Sequence, residues 1–422
     1  MNPSRVRRHF NGKTKQLQKL CVTITDCHHS TPKWFDSGKW VVRSENIKSG
    51  RISLFPTSYT DEVTFRERIS RAVPEPGDLI ITREAPMGEV GMIPNGVDCC
   101  LGQRLVLIKP NPKKIDASYL LYAMQSEYVQ RQIGASDATG STVSNLRIPL
   151  LKEVLVPLLD GQEEIGQVLA TIDAKIDLNE RINAELEALV QTIYDYWFVQ
   201  FEFPDENGQP YKSSGGKMVW NEKLKREIPE GWGEGDISSI AEVLGGGTPS
   251  KKNASYWNGE IPFFTPTDAN GVMYQLETED WITRQGLENC SSNLFEKGTI
   301  FITARGSVGK LAIASRPMAM NQSCYALRPK IAENYPFVYQ HAKTLIHHLR
   351  VKASGSTFDS IITNDISWTR LVAPEAKVVS GFCDVVRPCF EGVEVGLRQA
   401  LALRQLRDWL LPLLMNGQAR VA

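Results

Sequence analysis

The stretch FITARGSVGK, residues 301–310, has the residue types of a loop that cradles phosphate groups. Ala304, Gly309 and Lys310 stand at the spacing of a nucleotide-binding Gly-Lys loop. Such a loop needs Ser or Thr after the lysine to hold magnesium, and it must open a helix whose amides face the phosphates. Here Leu311 follows, and the flanking GTIFIT and KLAIA stretches are typical of strands. The sequence therefore predicts a turn between two strands, and a nucleotide-hydrolysing enzyme remains as an alternative.

Other catalytic signatures are missing from the sequence. It contains no Asn/Asp-Pro-Pro-Tyr/Phe stretch for amine methylation, no helicase-like acidic box and no His-Glu-x-x-His. The eight cysteines include no Cys-x-x-Cys pair, so we expect reduced thiols and no zinc site. His347 and His348 lie in a predicted helix, where packing or exposure to solvent is favoured over a metal site. The residues favour a binding protein over an enzyme.

The composition is that of a globular protein with more than one domain. The chain has 422 residues, of which 42% are hydrophobic, and no run of 18 apolar residues. Its start lacks the apolar segment of a secretory signal, so we expect a cytoplasmic protein with no membrane partner. The first twenty residues carry six basic side chains and no acidic one, which suits DNA or a solvated arm equally well. These six residues are Arg5, Arg7, Arg8, Lys13, Lys15 and Lys19.

The sequence repeats itself at an offset of 221 residues. The stretch IITREAPMGE, residues 80–89, aligns with FITARGSVGK, and further pairs follow along the chain. A period this long excludes a solenoid and predicts a duplicated domain that begins with strands and turns. The aligned pairs are Gly38 with Gly259, Gly50 with Gly271, Gly77 with Gly298, Ile81 with Ile302, Thr82 with Thr303, Gly88 with Gly309 and, after a shift of two, Gln103 with Gln322.

Each repeat ends in a long helical pattern. Apolar residues follow a four-three spacing over about 163–199 and again, 217 residues later, over 382–414. This spacing predicts a coiled-coil seam on each helix. Pro388 and Pro412 predict a bend or a break in the second helix, because proline removes a backbone hydrogen bond.

The middle of the two seams differs in residue type. The first helix places Asn179 and Asn183 where the second has Gly396 and Ala400. A buried asparagine costs stability but fixes register and partner. We therefore hypothesise that polar contacts and matched sizes set the register of the pair.

The first helix and the segment after it carry an acidic and aromatic surface. Residues 161–200 contain two basic and eight acidic side chains, so this helix is unsuited to phosphates. A partner-protein interface is predicted there, with packing within the chain as an equal alternative. The connector 201–232 is expected to be ordered, because Trp220 and Trp232 would need burial. The interface residues are Tyr194, Tyr196, Trp197 and Phe198.

The chain resembles the specificity subunit of type I restriction-modification systems along essentially its whole length. The resemblance rests on the duplicated GD/T-I-I/F-I-T-x(5)-G strand, the later Gln with Lys/Arg-Pro, the GST element, the trailing helices and the stretch YDYWFVQFEFPDENGQPYKSSGGKMVWNEKLKREIPEGW. It implies a non-catalytic α+β protein with two target-recognition domains, each reading one half of a split DNA target. It further implies that two long helices pack as an antiparallel coiled coil with pseudo-twofold symmetry, set the spacing and dock two methyltransferase subunits.

The resemblance assigns the enzymatic activities to other subunits. S-adenosylmethionine, ATP and magnesium would be used by the methyltransferase and restriction/translocase subunits, and this chain would need no cofactor or metal of its own. A two-domain scaffold that binds protein or sugar remains a further alternative. The predicted segments are a first recognition domain at 1–160, a spacer helix at 161–200, a connector at 201–235, a second recognition domain at 236–377 and a second spacer helix at 378–422.

Reading a base sequence needs side chains that pair with base edges and phosphates. Corresponding loops of both repeats offer them, although Thr82, Thr303, Gln103 and Gln322 recur in both repeats and could serve the fold instead. The candidates in the first repeat are Arg43, Ser44, Asn46, Lys48, Arg83, Glu84, Gln103, Arg104, Ser141 and Thr142. Those in the second are Thr265, Thr267, Asp268, Asn270, Arg305, Ser307, Asn321, Gln322, Ser356 and Thr357.

Overall fold

A computed structural model of the protein describes residues 10, 12–53, 55–135, 145–352 and 360–421. The chain forms two compact units: the first unit is Met1–Ile176 with Ala402–Ala422, and the second unit is Asp177–Leu401. Both mix helices with sheets, as predicted for an α+β protein. Within the described residues, we find no helix with the length and apolar character needed to cross a membrane.

The regular elements alternate short strands with short helices, apart from two long helices and one of intermediate length. The helices are α1 Leu17–Leu20, α2 Glu62–Ile69, α3 Ala117–Gln125, α4 Glu127–Ala135, α5 Ile148–Glu153, α6 Gln162–Tyr194, α7 Arg284–Glu288, α8 Tyr335–Lys352, α9 Thr363–Trp368 and α10 Ala376–Met415. The strands up to α6 are β1 Thr14–Gln16, β2 Cys21–Asp26, β3 Lys39–Val42, β4 Ile47–Lys48, β5 Arg51–Ile52, β6 Tyr59–Thr60, β7 Leu79–Thr82, β8 Val90–Met92, β9 Cys99–Leu101, β10 Leu105–Pro110 and β11 Leu155–Pro157. The later strands are β12 Met218–Asn221, β13 Arg226–Pro229, β14 Gly233–Gly235, β15 Ala241–Gly245, β16 Trp257–Phe264, β17 Tyr274–Gln275, β18 Asp280–Ile282, β19 Ile300–Thr303, β20 Leu311–Ala314, β21 Ala319–Met320, β22 Cys324–Pro329 and β23 Leu371–Ala373.

The sheets of the two units share one topology. In the first unit the main sheet has the order β2-β10-β7-β8 and a smaller one the order β6-β3-β9. In the second unit the corresponding orders are β15-β22-β19-β20-β17 and β18-β16-β21. The β3 and β9 strands pair in parallel, as do β16 and β21. The predicted duplication is therefore confirmed.

The hydrophobic core of each unit is built around apolar strands that occur in both repeats. All four residues of β7 and all four of β19 are buried, since each is a central strand of its sheet. Burying such a Leu or Ile side chain contributes about 1.5–3 kcal/mol. Ile165 and Leu169 of α6 join the core of the first unit together with Leu414 of α10.

The long helix α10 runs without interruption through both of its prolines. Of the expected bend or break, the break does not occur at either Pro388 or Pro412. Both prolines are on the exposed side of the helix. Water can satisfy the carbonyl groups that lose a partner there, while Val386, Phe390 and Leu414 keep the other side packed.

Asn183 of α6 packs against Gly396 of α10 in the second unit. The Asn183 side chain is 5% exposed, and neither of its polar atoms has a hydrogen-bond partner in the described part of the chain. A methyl group on Gly396 would lie 2.2 Å from the Asn183 Oδ1 atom. Size matching thus accounts for the pair, whereas the expected polar contact is not formed by Asn183.

We expect Gly396→Ala to lower the free energy of unfolding of the protein by about 1 kcal/mol, because the added methyl group overpacks the helix contact. Gly381→Ala is the matched control: its methyl group would meet only the Trp197 ring, at 3.8 Å, and alanine favours the helix. Urea unfolding of both variants and of Gly396→Ala with Asn183→Ala tests this. Equal stabilities for Gly396→Ala and Gly381→Ala would contradict it.

The connector after α6 is ordered, but only one of its two tryptophans is buried. Trp232 is 7% exposed and stacks on Phe203 with ring centroids 4.8 Å apart. Trp220 is 56% exposed, so the expectation that it needs burial is wrong. It belongs to β12, which pairs only with β13, and a two-stranded hairpin leaves side chains open to solvent.

Candidate nucleic-acid interface

The stretch 303–310 is a tight hairpin turn between β19 and β20. The Thr303 hydroxyl accepts a hydrogen bond from the Lys310 amide at 2.9 Å, and the Thr303 carbonyl accepts one from Gly309 at 2.8 Å. Gly309 has a φ of +75°, and a methyl group there would lie 2.9 Å from Ile346. The turn therefore requires glycine at position 309, because the backbone has a positive φ there and a side chain would clash with Ile346.

The first unit repeats this turn between β7 and β8. The Thr82 hydroxyl accepts from the Glu89 amide at 3.0 Å, and Gly88 donates to the Thr82 carbonyl at 3.0 Å. Thr82 and Thr303 are thus used inside the turn, as the alternative reading of these two residues expects. What the repeats conserve is the shape of a hairpin, while its tip residues differ.

Lys310 holds a neighbouring turn in place, and the loop that precedes it does not have the geometry of a phosphate-binding loop. Its Nζ atom donates to the Ala269 carbonyl at 2.8 Å. The β19 and β20 strands are antiparallel neighbours, so the loop opens no helix. The geometry contradicts the nucleotide-binding alternative, because a phosphate-binding loop must lead into a helix and this loop leads into β20.

Five segments of the second unit surround an open cleft of about 560 Å³, which we call the second-unit cleft. They are the loop after β15, the turn after β16, the start of β18, the tip of the β19–β20 hairpin and the turn before β22. Four predicted residues, Thr265, Thr267, Arg305 and Asn321, meet there although they are far apart in sequence. The lining residues are Lys251, Thr265, Pro266, Thr267, Glu279, Asp280, Arg305, Gly306, Asn321 and Ser323.

Asp268 fixes two walls of this cleft. Its Oδ2 atom accepts hydrogen bonds from the Thr265 amide and hydroxyl, both at 2.8 Å. Its Oδ1 atom accepts one from the Glu279 amide at 2.8 Å. Because three donors occupy its carboxylate, Asp268 positions the cleft, and the structure gives it this role in place of the predicted DNA contact.

The other predicted residues of the second unit differ in their exposure to solvent and in their hydrogen-bond partners. Arg305 is exposed and has no side-chain partner in the described part of the chain. The Asn321 Oδ1 atom accepts from Ser323 N at 3.0 Å, and Gln322 accepts from the Thr248 hydroxyl. Asn270 is exposed, whereas Ser307 is half-buried and its carbonyl accepts from Thr303. Among these predicted residues, Arg305 is the one that carries an exposed positive charge.

The turn after β3 repeats the arrangement in the first unit. The Asn46 Oδ1 atom accepts from the Arg43 amide at 2.8 Å, as Asp268 does from Thr265. Asn46 is 1% exposed and also donates to the Pro56 carbonyl at 2.9 Å. It therefore holds the turn and offers no amide to a base, contrary to its prediction. Arg43 and Lys48 are exposed beside it, and Ser44 is half-buried.

Charged residues of the first-unit hairpin are paired with each other or with neighbouring strands. Arg83 forms an ion pair with Asp26 at 3.0 Å, and its side chain is 13% exposed. Glu84 forms one with the exposed Arg104 at 3.0 Å. Gln103 donates to the His29 carbonyl at 2.8 Å. Arg83 and Gln103 thus hold the fold, and Arg104 is the accessible cation of this group.

Four predicted residues and part of the basic arm lie outside the described residues. These four are Ser141, Thr142, Ser356 and Thr357, and the arm residues are Arg5, Arg7 and Arg8. Their contacts with DNA stay predictions.

The aromatic cluster predicted for a partner interface is mainly internal. Tyr194, Trp197 and Phe198 are buried, with Phe382 within 5.9 Å of each ring. These three residues therefore pack within the chain, which was the alternative to a partner-protein interface. Tyr196 alone stays on the surface, at 39% exposure.

A buried histidine completes this aromatic cluster. Tyr194 Oη lies 3.0 Å from His341 Nδ1, and burial lowers the pKa of His341 to about 4. At neutral pH the ring is uncharged, and it serves as a hydrogen-bond partner inside the core. No catalytic role follows from it.

Lys251, Glu279 and Asp280 line the second-unit cleft but were not predicted from the sequence. Acidic residues are unexpected in a surface that binds a polyanion, so the stretch LETED gave no signal of its own. Only the fold brings the start of β18 beside the hairpin tip.

No metal centre is formed by the described residues, since none of their His, Cys, Asp and Glu side chains cluster in groups of three or more. All eight cysteines are free thiols, as expected. Burial raises the pKa of the Cys99 and Cys100 thiols to about 12, so both stay protonated near neutral pH. These are packing residues.

Comparison with known proteins identifies the family to which the two units are similar. A family model described as "Type I restriction modification DNA specificity domain" matches the chain twice, at residues 32–188 and 229–377. The chain is 27% identical over 356 residues to the type I restriction enzyme MjaIX specificity subunit of Methanocaldococcus jannaschii, covering 82% of this chain and 78% of that one. It is 22% identical over 397 residues to the HindI specificity subunit of Haemophilus influenzae, covering 81% and 86%.

A solved structure shares the fold. The S subunit of a type I restriction-modification system from M. genitalium superposes with a TM-score of 0.58 over 96% of each chain, at 16% identity. The overall fold of the chain is therefore also found in another protein.

Proposed function

Because this chain belongs to the type I restriction-modification DNA specificity family, we propose that each of its two units reads one half of a bipartite DNA target. It is a DNA-recognition component and is not itself an enzyme. The observation that carries the proposal is the second-unit cleft, where residues predicted to read bases meet at one hairpin of a duplicated fold.

The long helices would set the distance between the two half-sites. Within the first unit Asp173 of α6 contacts Arg407 of α10, and within the second unit Trp197 contacts Phe382 and Leu186 lies near Gly392. In this order of contacts, later residues of one helix meet earlier residues of the other. It supports the antiparallel coiled coil with pseudo-twofold symmetry.

Two methyltransferase subunits would dock on the same helices, and restriction/translocase subunits would complete the complex. An exposed apolar stripe supports this: Leu178, Ile182, Leu189 and Tyr196 are each 39–47% exposed and recur at four- and seven-residue intervals on one side of the segment. Large exposed apolar patches mark protein interfaces. S-adenosylmethionine, ATP and magnesium would be bound by those partners.

Arg305→Ala is expected to relax the base preference at one position of one half-site, at a cost of about 1–3 kcal/mol in binding free energy. Fluorescence anisotropy with the complex of this chain and its methyltransferase partner measures the loss on target and altered duplexes. Arg284→Ala is the control, since Arg284 is an exposed arginine of the same unit paired with Glu288 outside the cleft. Unaltered affinity and preference in Arg305→Ala would remove Arg305 from the interface.

A scaffold that binds protein or sugar predicts a different response to salt. The logarithm of the DNA-binding constant should fall linearly with the logarithm of salt concentration, because phosphate contacts release counterions. A scaffold would show no such affinity in the presence of its partner subunits.

A further inference from the structure

We infer that the second-unit cleft reads a G·C base pair, with Arg305 on the guanine and Glu279 on the cytosine amino group; this rests on the proposed function. The two residues line one cleft from different segments, the hairpin tip and the start of β18. Nothing in the family match specifies a base, so the assignment comes from the chemistry of these side chains.

The acidic side chains of the cleft indicate contact with base edges. Glu279 is exposed and Asp280 half-buried, and neither forms an ion pair within the described residues. An ionised carboxylate can only accept hydrogen bonds, and phosphate offers it no donor and a repelling charge. The donors that DNA presents in its major groove are the N4 amino group of cytosine and the N6 amino group of adenine.

The presence of Arg305 in the cleft favours cytosine over adenine as the partner of the carboxylate. Its guanidinium carries only donors, which match the O6 and N7 acceptors of guanine in a bidentate pair. A G·C pair places those acceptors beside the cytosine N4 donor, so one arginine and one carboxylate satisfy its whole edge. An A·T pair would instead be matched by an amide side chain, and it adds a methyl group that a carboxylate cannot bind.

The backbone around both side chains is held in place. The Glu279 amide donates to Asp268 at 2.8 Å, and the Ala304 amide donates to the Ser323 carbonyl at 2.8 Å. Gly306, next to Arg305, has a φ of +78° that turns the hairpin tip. Such preorganisation lowers the entropy lost when the side chains bind a base pair.

The corresponding hairpin of the first unit has a different arrangement of charges. There Glu84 is paired with Arg104 and Arg83 with Asp26, so charges of both signs neutralise each other. In the second-unit cleft Arg305, Glu279 and Asp280 stand without ion pairs among the described residues. The inference is therefore specific to the second unit.

The test uses this chain in complex with its methyltransferase partner. Genomic modification mapping gives the bipartite motif, and anisotropy measures affinity for duplexes that carry each of the four base pairs at every motif position. Glu279→Gln should cut the discrimination against A·T at one G·C position about 10-fold, and Arg305→Ala should relax the same position. Glu260→Gln, which removes an exposed carboxylate of the same unit outside the cleft, should leave all positions unchanged.

Three outcomes would overturn the inference, and one of them separates it from the proposed function. Methylation at a bipartite motif with no change of discrimination in Glu279→Gln would overturn the G·C assignment alone. Relaxation of different positions by Glu279→Gln and Arg305→Ala would do the same. Absence of both methylation and salt-dependent DNA binding in the wild-type complex would overturn the proposed function as well. Thermal unfolding of each variant verifies that it is folded.

Discussion

Asp173→Ala should lower the free energy of unfolding of the protein by about 3 kcal/mol, a large share of the stability of an ordinary domain. Asp173 lies on α6 and is 9% exposed. Its carboxylate accepts hydrogen bonds from Tyr122 Oη at 2.7 Å and from Arg407 at 2.8 Å, and it pairs with Arg51 at 3.4 Å. Removal of the carboxylate leaves two guanidinium groups in a poorly hydrated site.

Urea unfolding followed by circular dichroism measures this loss. Glu185→Ala is the matched control, because Glu185 is an exposed carboxylate of the same helix. A combined variant with Asp173→Leu, Arg407→Met and Arg51→Met should recover much of the stability, since apolar residues can replace a buried ionic group. If Asp173→Ala cost no more than Glu185→Ala, the ionic cluster would contribute nothing to the fold.

Insertion of one helical turn in both long helices should lengthen the gap between the two half-sites by one to two base pairs. Four residues add about 6 Å to a helix, and each base pair advances the duplex by about 3.4 Å. The insertions belong after Asn183 and after Gly396, which face each other in the second unit. Both half-site sequences should stay the same, because the reading surfaces are untouched.

Modification mapping of genomic DNA reads out the new gap directly. A variant in which four residues of each helix are replaced in place, by residues of the same polarity, controls for altered helix sequence. If the longer protein methylated the original motif, the helices would not act as a spacer.

Local requirements explain what could be predicted from the sequence. The hairpins were recognisable because Thr82 and Thr303 bond to their own turns and Gly88 and Gly309 must adopt positive φ. The helices were recognisable because the four-three spacing selects one buried side. Such features depend on neighbours within about ten residues, so the sequence alone displays them.

Long-range pairing explains what could not be predicted. Arg83 looked like a DNA contact, but Asp26, which neutralises it, lies 57 positions earlier in the chain. Asn46 looked accessible until its two hydrogen bonds and its burial were visible. Glu279 and Asp280 were overlooked because only the fold places them beside Arg305. Which side chain is free to bind is decided by tertiary partners.

The two units attach their helices by different chemistry, although they share a topology. In the first unit Tyr122 bonds to Asp173, whereas in the second Tyr339, 217 positions later, packs edge-on against Phe390 with ring centroids 6.0 Å apart. The ionic junction should weaken in salt more than the aromatic one, because dissolved ions screen charged pairs. A duplicated protein can thus differ in behaviour between its halves.

The hairpin of each unit is closed by one threonine, one glycine and backbone groups alone. In the second unit Arg305 at the tip is exposed and takes no part in closing the turn, so its exchange should cost little stability. Under the proposed function, a substitution at this tip would change the target of the second unit while the turn that presents it keeps its shape.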